Sequence, residues 1–499
     1  MNITIVGGGS AGWMSAATLI RAFPESWITV IESPDISTVG VGESTLGAIN
    51  GWLKYLGIED KDFMPHCEAS YKLAIKFTDF YKKDSGSFFY PFGNPYYMNE
   101  EHRNLWYFRK EFKDLPPSDY GECMSPNNLM AKHNKISDKN NIVPNYNFRE
   151  DTAYHFDATK FGIYLRDHYC KPKGVMHIQE TVKDIKTNHK GIECIVTDKY
   201  SYYADLFIDC TGFKSMLLNK VGGEFMSYNH ILPNDSAWAT KIPYTDKEKQ
   251  LEPYTNCTAI ENGWVWNIPS WERIGTGYVY SSQYINDEDA LQQFKNYLKR
   301  SDLEFKNIKM RVGRQKKMWI KNVCSIGLSA GFIEPLESTG LLQTHTFLLK
   351  LVSNLQRGDF TQWDRDTHNI ICNKIFDEYM HFVAMHYGLS MRDDTWYWKD
   401  IREKSLEELE NVRDTMLVKD NEHYLNPYSG YHYIATGLNW QPVSLQDVIT
   451  GEYDTKLQLL DEQTTEILET NKQAWLEKIK QMPSCYQYLK ENIHENNNC

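Results

Sequence analysis

The chain has 499 residues, a formal net charge of −12, 41% hydrophobic and 24% charged residues. It is long enough for several lobes of roughly 100 to 200 residues each, and its acidity, with no basic run, excludes a phosphate-backbone partner such as nucleic acid. Ten cysteines without a CxxC pair or a zinc-like spacing read as reduced thiols, so neither a disulfide framework nor a metal site is expected. No apolar run approaches the roughly 18 residues of a membrane span. The chain begins directly on a core strand, which leaves no room for a signal peptide, and a cytoplasmic location is expected.

The first segment reads as strand, glycine turn, helix and strand. Ile3, Ile5 and Val6 form a short apolar β-run, and Gly7, Gly9 and Gly12 follow in G-x-G-x-x-G spacing. The first glycine permits the tight turn, the second admits a pyrophosphate to the backbone, and the third lets the helix close on the strand. The N–H groups of Ser10 and Ala11 then open a helix toward the phosphates. Trp13 to Phe23 supplies that helix, and Trp27 to Glu32 supplies a second strand. It ends in an acid twenty residues after Gly12, where a ribose hydroxyl needs an acceptor. Glu32 disfavours a ribose 2′-phosphate, so FAD or NAD is expected over NADP.

Val39 to Thr45 is a second glycine-rich turn ahead of a helix from Leu46 to Leu56; it reads equally as a loop over the cofactor and as a helix entry capped by Ser44. In Tyr71 to Phe77 the odd positions are apolar, so one strand face is buried and Lys72 and Lys76 share the other, which periodicity alone makes a solvated face. Residues 81–147 look irregular, with Pro91, Pro95, Pro116, Pro117 and Pro126 breaking any long helix among many aromatics, as in a lid or binding wall. A helix follows near Phe156 to His168, then a hairpin-like set of strands from Gly174 to Asp205. Leu206 to Gly212 ends a buried strand in a small-residue turn.

Trp264 and Trp266, at i and i+2, share one strand face as a bulky wall. Glu334 to Gly340 places a carboxylate, two hydroxyls and a glycine just before a helix, a compact site for an anion and for proton acceptance; the plainer alternative is that Ser338 or Thr339 caps that helix. Ser405 with Glu408 reads as a capping box, and Glu452 to Met482 as an amphipathic helix stopped by Pro483.

Together these pieces resemble the flavin-dependent halogenases, the family typified by tryptophan halogenases. The resemblance rests on the Gly7 to Gly12 turn, on Trp264-Val265-Trp266-Asn267-Ile268-Pro269, and on Glu334-Pro335-Leu336-Glu337-Ser338-Thr339-Gly340. Further similar pieces are Gly40-Val41-Gly42-Glu43, Tyr71 to Phe77, Arg311 to Arg314 and Arg392 to Thr395. It implies an α/β fold: an FAD-binding Rossmann-like three-layer core with an added β-sheet and a helical substrate-binding module. The expected boundaries are 1–85 with 150–380 for the FAD module, and 86–149 with 381–499 for the substrate module.

The resemblance also implies a reaction. FADH2, replenished by a separate NAD(P)H-dependent flavin reductase, reacts with O2 and a halide ion to give hypohalous acid. Lys72 activates or holds the halogen beside an aromatic small molecule. Glu337 accepts the ring proton, Ser338 orients Glu337, and Thr339 with the Gly340 amide holds the halide. Trp264, Trp266, Ile268 and Pro269 wall the flavin off from the organic substrate. Phe92 matches the family's aromatic wall, whereas Tyr90 stands where tryptophan-specific members carry histidine. Leu425 and Asn426 replace a Phe-Trp pair, and Asn421 replaces an acid. An indole or phenol type of substrate is therefore expected in place of free tryptophan. The competing enzyme reading is a single-component flavin hydroxylase, and a non-catalytic flavin-binding protein is the third class. A homodimer is the commonest closed assembly.

Overall fold

The computed structural model describes residues 1–36, 42–96, 106–107, 109–110, 113–358, 360–409, 429–440 and 461–495. The chain divides into two compact units. One comprises Met1–Ala69, His155–Ala237 and Asn307–Met380, the other Ser70–Tyr154, Trp238–Lys306 and His381–Cys499.

In the first unit, β1 (Asn2–Val6), α1 (Ser10–Ala22) and β2 (Trp27–Glu32) follow the expected strand, helix, strand order. β1 lies between β2 and Leu206–Asp209, parallel to both, with Ile5 opposite Val30 on one side and Ile208 on the other. The six-stranded sheet continues to Met176–Gln179 beyond β2, and to Val323–Ser325 and Trp319–Ile320 beyond Leu206–Asp209. Strands buried on both faces must be apolar throughout; Ile3, Ile5, Val30, Leu206, Phe207 and Ile208 accordingly have no exposed surface. The hairpin-like segment forms Val182–Asn188, Gly191–Thr197 and Ser201–Tyr202, a three-stranded antiparallel sheet. β3 (Gly42–Ser44) pairs with the strand ending at Asp157, and α2 (Ile49–Leu56) starts after Ala48, three residues later than the expected Leu46. Ser44 therefore lies in a strand and does not cap α2.

In the second unit, β4 (Ser70–Lys72) ends before Leu73, while β5 (Ala74–Thr78) and β6 (Ser87–Pro91) join a sheet with Tyr254–Ile260, Gly263–Pro269 and Ile274–Tyr280. β5 pairs in parallel with Tyr254–Ile260, from Ala74 opposite Tyr254 to Thr78 opposite Thr258. This pairing moves residues 70–85 and 238–306 into the second unit, a departure from the boundaries expected at 85 and 150. Pro126 begins a helix, Pro126–Lys132, capped by the Ser125 hydroxyl; the missing proline N–H costs nothing at the first helical position. Ser405 is buried inside the helix Trp396–Leu409 and forms no cap at its start. Burial of Tyr397, Trp398 and Ile401 carries that helix back to Trp396, and the Thr395 hydroxyl accepts the Trp398 N–H at 3.5 Å. Arg392 forks onto Asp394 and donates to the Asp79 and Ala259 carbonyls, which gives the Arg392 to Thr395 motif a structural task.

Candidate active site

The glycine turn at the end of β1 is closed by backbone contacts that tolerate no side chain. Gly7 has φ +115°, and a Cβ there would stand 2.1 Å from the Cys210 carbonyl oxygen; one on Gly12 would stand 1.8 Å from the Gly7 oxygen. Gly9 is the N-cap of α1, with no side-chain cap bond and no acid in the first turn. The Ser10 hydroxyl donates to the Ala158 carbonyl, and Ala11 packs against Gly327. The positive helix end is therefore left open, as a diphosphate requires. Glu32 ends β2 with its carboxylate lying over Gly8 and bonded at 2.8 Å to His177 Nε2. Sequence spacing finds Glu32, but His177 arrives from the neighbouring strand Met176–Gln179 and has no sequence signal.

Gly42 and Glu43 lie in β3 opposite Asp157 and Phe156. Loss of hydration, with the Asp157 charge adding, pushes the Glu43 carboxyl up to about 7. The folded state then holds a proton that the unfolded chain releases, so stability falls as pH rises from the ordinary carboxylate range through about 7. Urea unfolding from pH 5 to 8 is expected to show this slope reduced in Glu43→Gln; an unchanged slope would assign it to other groups.

Glu337 closes the short helical turn Pro335–Glu337, and Ser338 follows with φ 57° as the N-cap of the helix Thr339–Leu355. Ser338 makes no side-chain cap bond. Its hydroxyl instead donates to the Ser44 hydroxyl at 3.0 Å, which sets aside the capping alternative for that residue. Three features surround the open helix end. Glu337 is 1% exposed, the Thr339 hydroxyl is buried with no hydrogen-bond partner among the described residues, and none of the described residues lies within 4 Å of a Cβ built on Gly340. A pocket of N–H and O–H donors beside an unfilled space can hold a small anion.

In the second unit, Lys72 ends β4 with 0% exposure and its Nζ lies 4.8 Å from the Phe92 ring centre. The expected solvated face is therefore wrong for Lys72. The strand is interrupted at Leu73, whose N–H turns to the Pro253 carbonyl while its own carbonyl accepts from Phe92, so the alternation across Tyr71 to Phe77 does not hold as one continuous pleat. Lys76 stays half-buried, 5.6 Å from the Tyr254 ring. Burying an amine is costly unless it is paired or hydrogen-bonded, and the aromatic face supplies part of that compensation. Tyr90 stands edge-on to Phe92 at 6.1 Å and packs with Phe382 and Tyr433. Trp264 and Trp266 share the expected strand face, their rings 6.2 Å apart, with Trp266 lying across Gly277. Ile268 is buried beyond them, and the Pro269 carbonyl accepts the Ser70 hydroxyl.

The sequence model described as tryptophan halogenase matches residues 2–451. The chain is 34% identical over 465 residues to the 7-chloro-L-tryptophan 6-halogenase of Kutzneria sp. (strain 744), covering 86% of this chain and 88% of that one. The chain belongs to the tryptophan halogenase family. Among solved structures, the VirX1 apo structure superposes with a TM-score of 0.90 at 37% identity, covering 99% of each chain. The tryptophan 6-halogenase of Streptomyces toxytricini superposes with a TM-score of 0.85 at 31% identity, covering 98% of this chain and 99% of that one.

This halogenase is thus a flavin-dependent enzyme with the α/β fold expected from its sequence. The glycine turn, the uncapped α1 and Glu32 fit the diphosphate and ribose of a flavin dinucleotide. Of the expected site residues, Gly40, Val41, Asn421, Leu425 and Asn426 lie outside the described residues. Among the described residues no helix is long and apolar enough to cross a membrane. The Ser44–Ser338 bond spans 294 positions and has no local sequence signal; it sets aside the helix-cap alternative for Ser44 and leaves the cofactor-loop alternative standing.

Proposed function

We propose that this halogenase uses FADH2, O2 and a halide ion to make hypohalous acid, and that Lys72 and Glu337 place the halogen on an indole or phenol type of ring. The observation that carries this reading is the fully buried Lys72 amine against Phe92. Gly7, Gly9, Ser10, Ala11, Gly12 and Glu32, with Gly40, Val41, Gly42 and Glu43 on the second glycine-rich turn, would hold the flavin, which as FADH2 would supply the two electrons that, with those of the halide, reduce O2 to water and hypohalous acid. Thr339 and the Gly340 N–H hold the halide. Trp264, Trp266, Ile268 and Pro269 keep the organic substrate from the flavin. Lys72 holds or polarises the hypohalous acid by hydrogen bonding, or carries the halogen as a haloamine. Glu337 takes the proton released when the ring regains aromaticity. Ser338 positions Glu337.

Of the relatives named above, the Kutzneria and Streptomyces toxytricini enzymes are named for 7-chloro-L-tryptophan and tryptophan respectively. In this chain Tyr90 replaces the histidine of tryptophan-specific members, Leu425-Asn426 replaces their Phe-Trp pair, and Asn421 replaces the acid that holds the amino group. A substrate without the amino-acid head fits these replacements. Delivery of FADH2 falls to a separate flavin reductase, and the enzyme works in the cytoplasm.

The test is turnover of the purified protein with FAD, a generic flavin reductase, NADH and oxygen. Chloride, bromide and iodide are varied in turn, and phenols, indoles and free tryptophan are read by mass spectrometry. A halogen mass shift on the headless rings, exceeding that on tryptophan, is expected. A halide-independent gain of one oxygen atom would replace this reading with a hydroxylase.

The Ser44–Ser338 bond gives a second expectation. In Ser44→Ala the Ser338 hydroxyl is released to cap the helix, where it competes with the halide for the N–H groups. Halide KM is expected to rise roughly fivefold, the worth of about one net hydrogen bond, with FAD affinity unchanged and Ser44→Thr close to wild type. An unchanged halide KM in Ser44→Ala would make the bond structural only.

A further inference from the structure

We propose that Gln343 is a further halide ligand, adding a side-chain N–H to the pair Thr339 and Gly340; the inference rests on the halide reading above. Gln343 is 4% exposed, and its Nε2 has no hydrogen-bond partner among the described residues. A buried amide donor left unpaired costs as much as a lost hydrogen bond, and such groups are rare in folded proteins, where a water or a ligand commonly completes them. Gln343 stands four residues after Thr339 on the helix Thr339–Leu355. At 3.6 residues per turn it lies about 40° from Thr339 and about 60° from Gly340 around the axis. Helical side chains lean toward the N-terminus, so the carboxamide reaches back toward the first turn. That face then carries the partnerless Thr339 hydroxyl, the open side of Gly340 and the partnerless Gln343 amide.

The neighbouring polar side chains are already engaged. Thr344 donates to the Gly340 carbonyl at 3.0 Å, and His345 stacks on Trp52. Gln343 differs from both in that its donor is not engaged, and unlike His345 its charge does not change with pH. An anion at the helix end selects the N–H side of the carboxamide over its oxygen, since the carbonyl end repels it.

The test compares Gln343→Leu and Gln343→Glu with wild type and with Thr339→Val. Halide KM is measured by bromide titration of turnover. A readout free of turnover is the bromide-dependent rise in unfolding temperature of the FAD-loaded protein, with gluconate holding ionic strength constant. Gln343→Leu is expected to raise halide KM about tenfold, the loss of one hydrogen bond to a charge, with kcat at saturating bromide within about twofold and FAD affinity unchanged. Gln343→Glu, which sets a carboxylate against the anion, is expected to raise it further, and both variants should lose most of the thermal response. Should the leucine variant fail to fold, Gln343→Met preserves the length and carries the same readouts. Halide KM and thermal response altered by Thr339→Val but by neither Gln343 variant would overturn the assignment and leave the halide site standing. Insensitivity of Thr339→Val as well would overturn the site itself. Weaker FAD binding with unchanged halide KM would place Gln343 on the cofactor and overturn the proposal.

Discussion

Lys72→Met is expected to lose ring halogenation by roughly 10²–10⁴-fold, the range for removing a positioned proton donor or acceptor, while binding FAD as the wild type does. Methionine is the informative substitution because Lys72 has no exposed surface. Alanine would leave a cavity, with a stability cost mixed into the kinetics, whereas methionine fills most of the lysine stem and removes only the amine. Three measurements separate the roles. Flavin fluorescence reports cofactor binding, a small-molecule trap for hypohalous acid reports halide oxidation, and mass spectrometry reports the ring product. Trapped hypohalous acid at wild-type levels with the ring product lost places Lys72 after halide oxidation. Wild-type ring halogenation in the variant would remove the catalytic assignment. Lys76→Met serves as the control, because Lys76 is half-buried against Phe89 and Tyr254 and is expected to behave like the wild type.

The contrast between these two lysines marks where reading from sequence stops. Alternation along Tyr71 to Phe77 places both on one face, and only the resemblance separates them. The structure supplies the physical reason, a break at Leu73 that ends β4 on Lys72 and starts β5 at Ala74. The glycine turn was legible because its constraint is local: Gly7 and Gly12 touch backbone within the same βαβ unit and the adjoining strand. Glu32 was legible for the same reason. Ser44 was not, because its hydroxyl is held by a residue far along the chain and its β-strand environment overrides its capping propensity. Ser405 failed in the opposite direction. A sound capping pattern was overridden by the burial of Tyr397 and Trp398 about two turns earlier, as tertiary packing commonly overrides local preference.

Glu337→Gln is expected to fold normally and to lose ring halogenation by roughly 10²–10⁴-fold. Glutamine matches glutamate in shape and keeps one oxygen acceptor in a position that is 1% exposed, so packing changes little, but an amide cannot take a proton from a halogenated ring. Hypohalous acid caught by the trap should persist, since the Thr339 and Gly340 donors are intact. Glu334 in the same motif provides the comparison. It is fully buried and accepts the Asn234 side-chain N–H at 2.8 Å, a bond within the fold, so Glu334→Gln should lower the unfolding temperature with less effect on kcat. The two carboxylates of Glu-Pro-Leu-Glu then divide by measurement, one moving stability and the other moving turnover. Wild-type turnover in Glu337→Gln would reduce Glu337 to a packing residue ahead of the helix, and proton removal would have to be reassigned to another base.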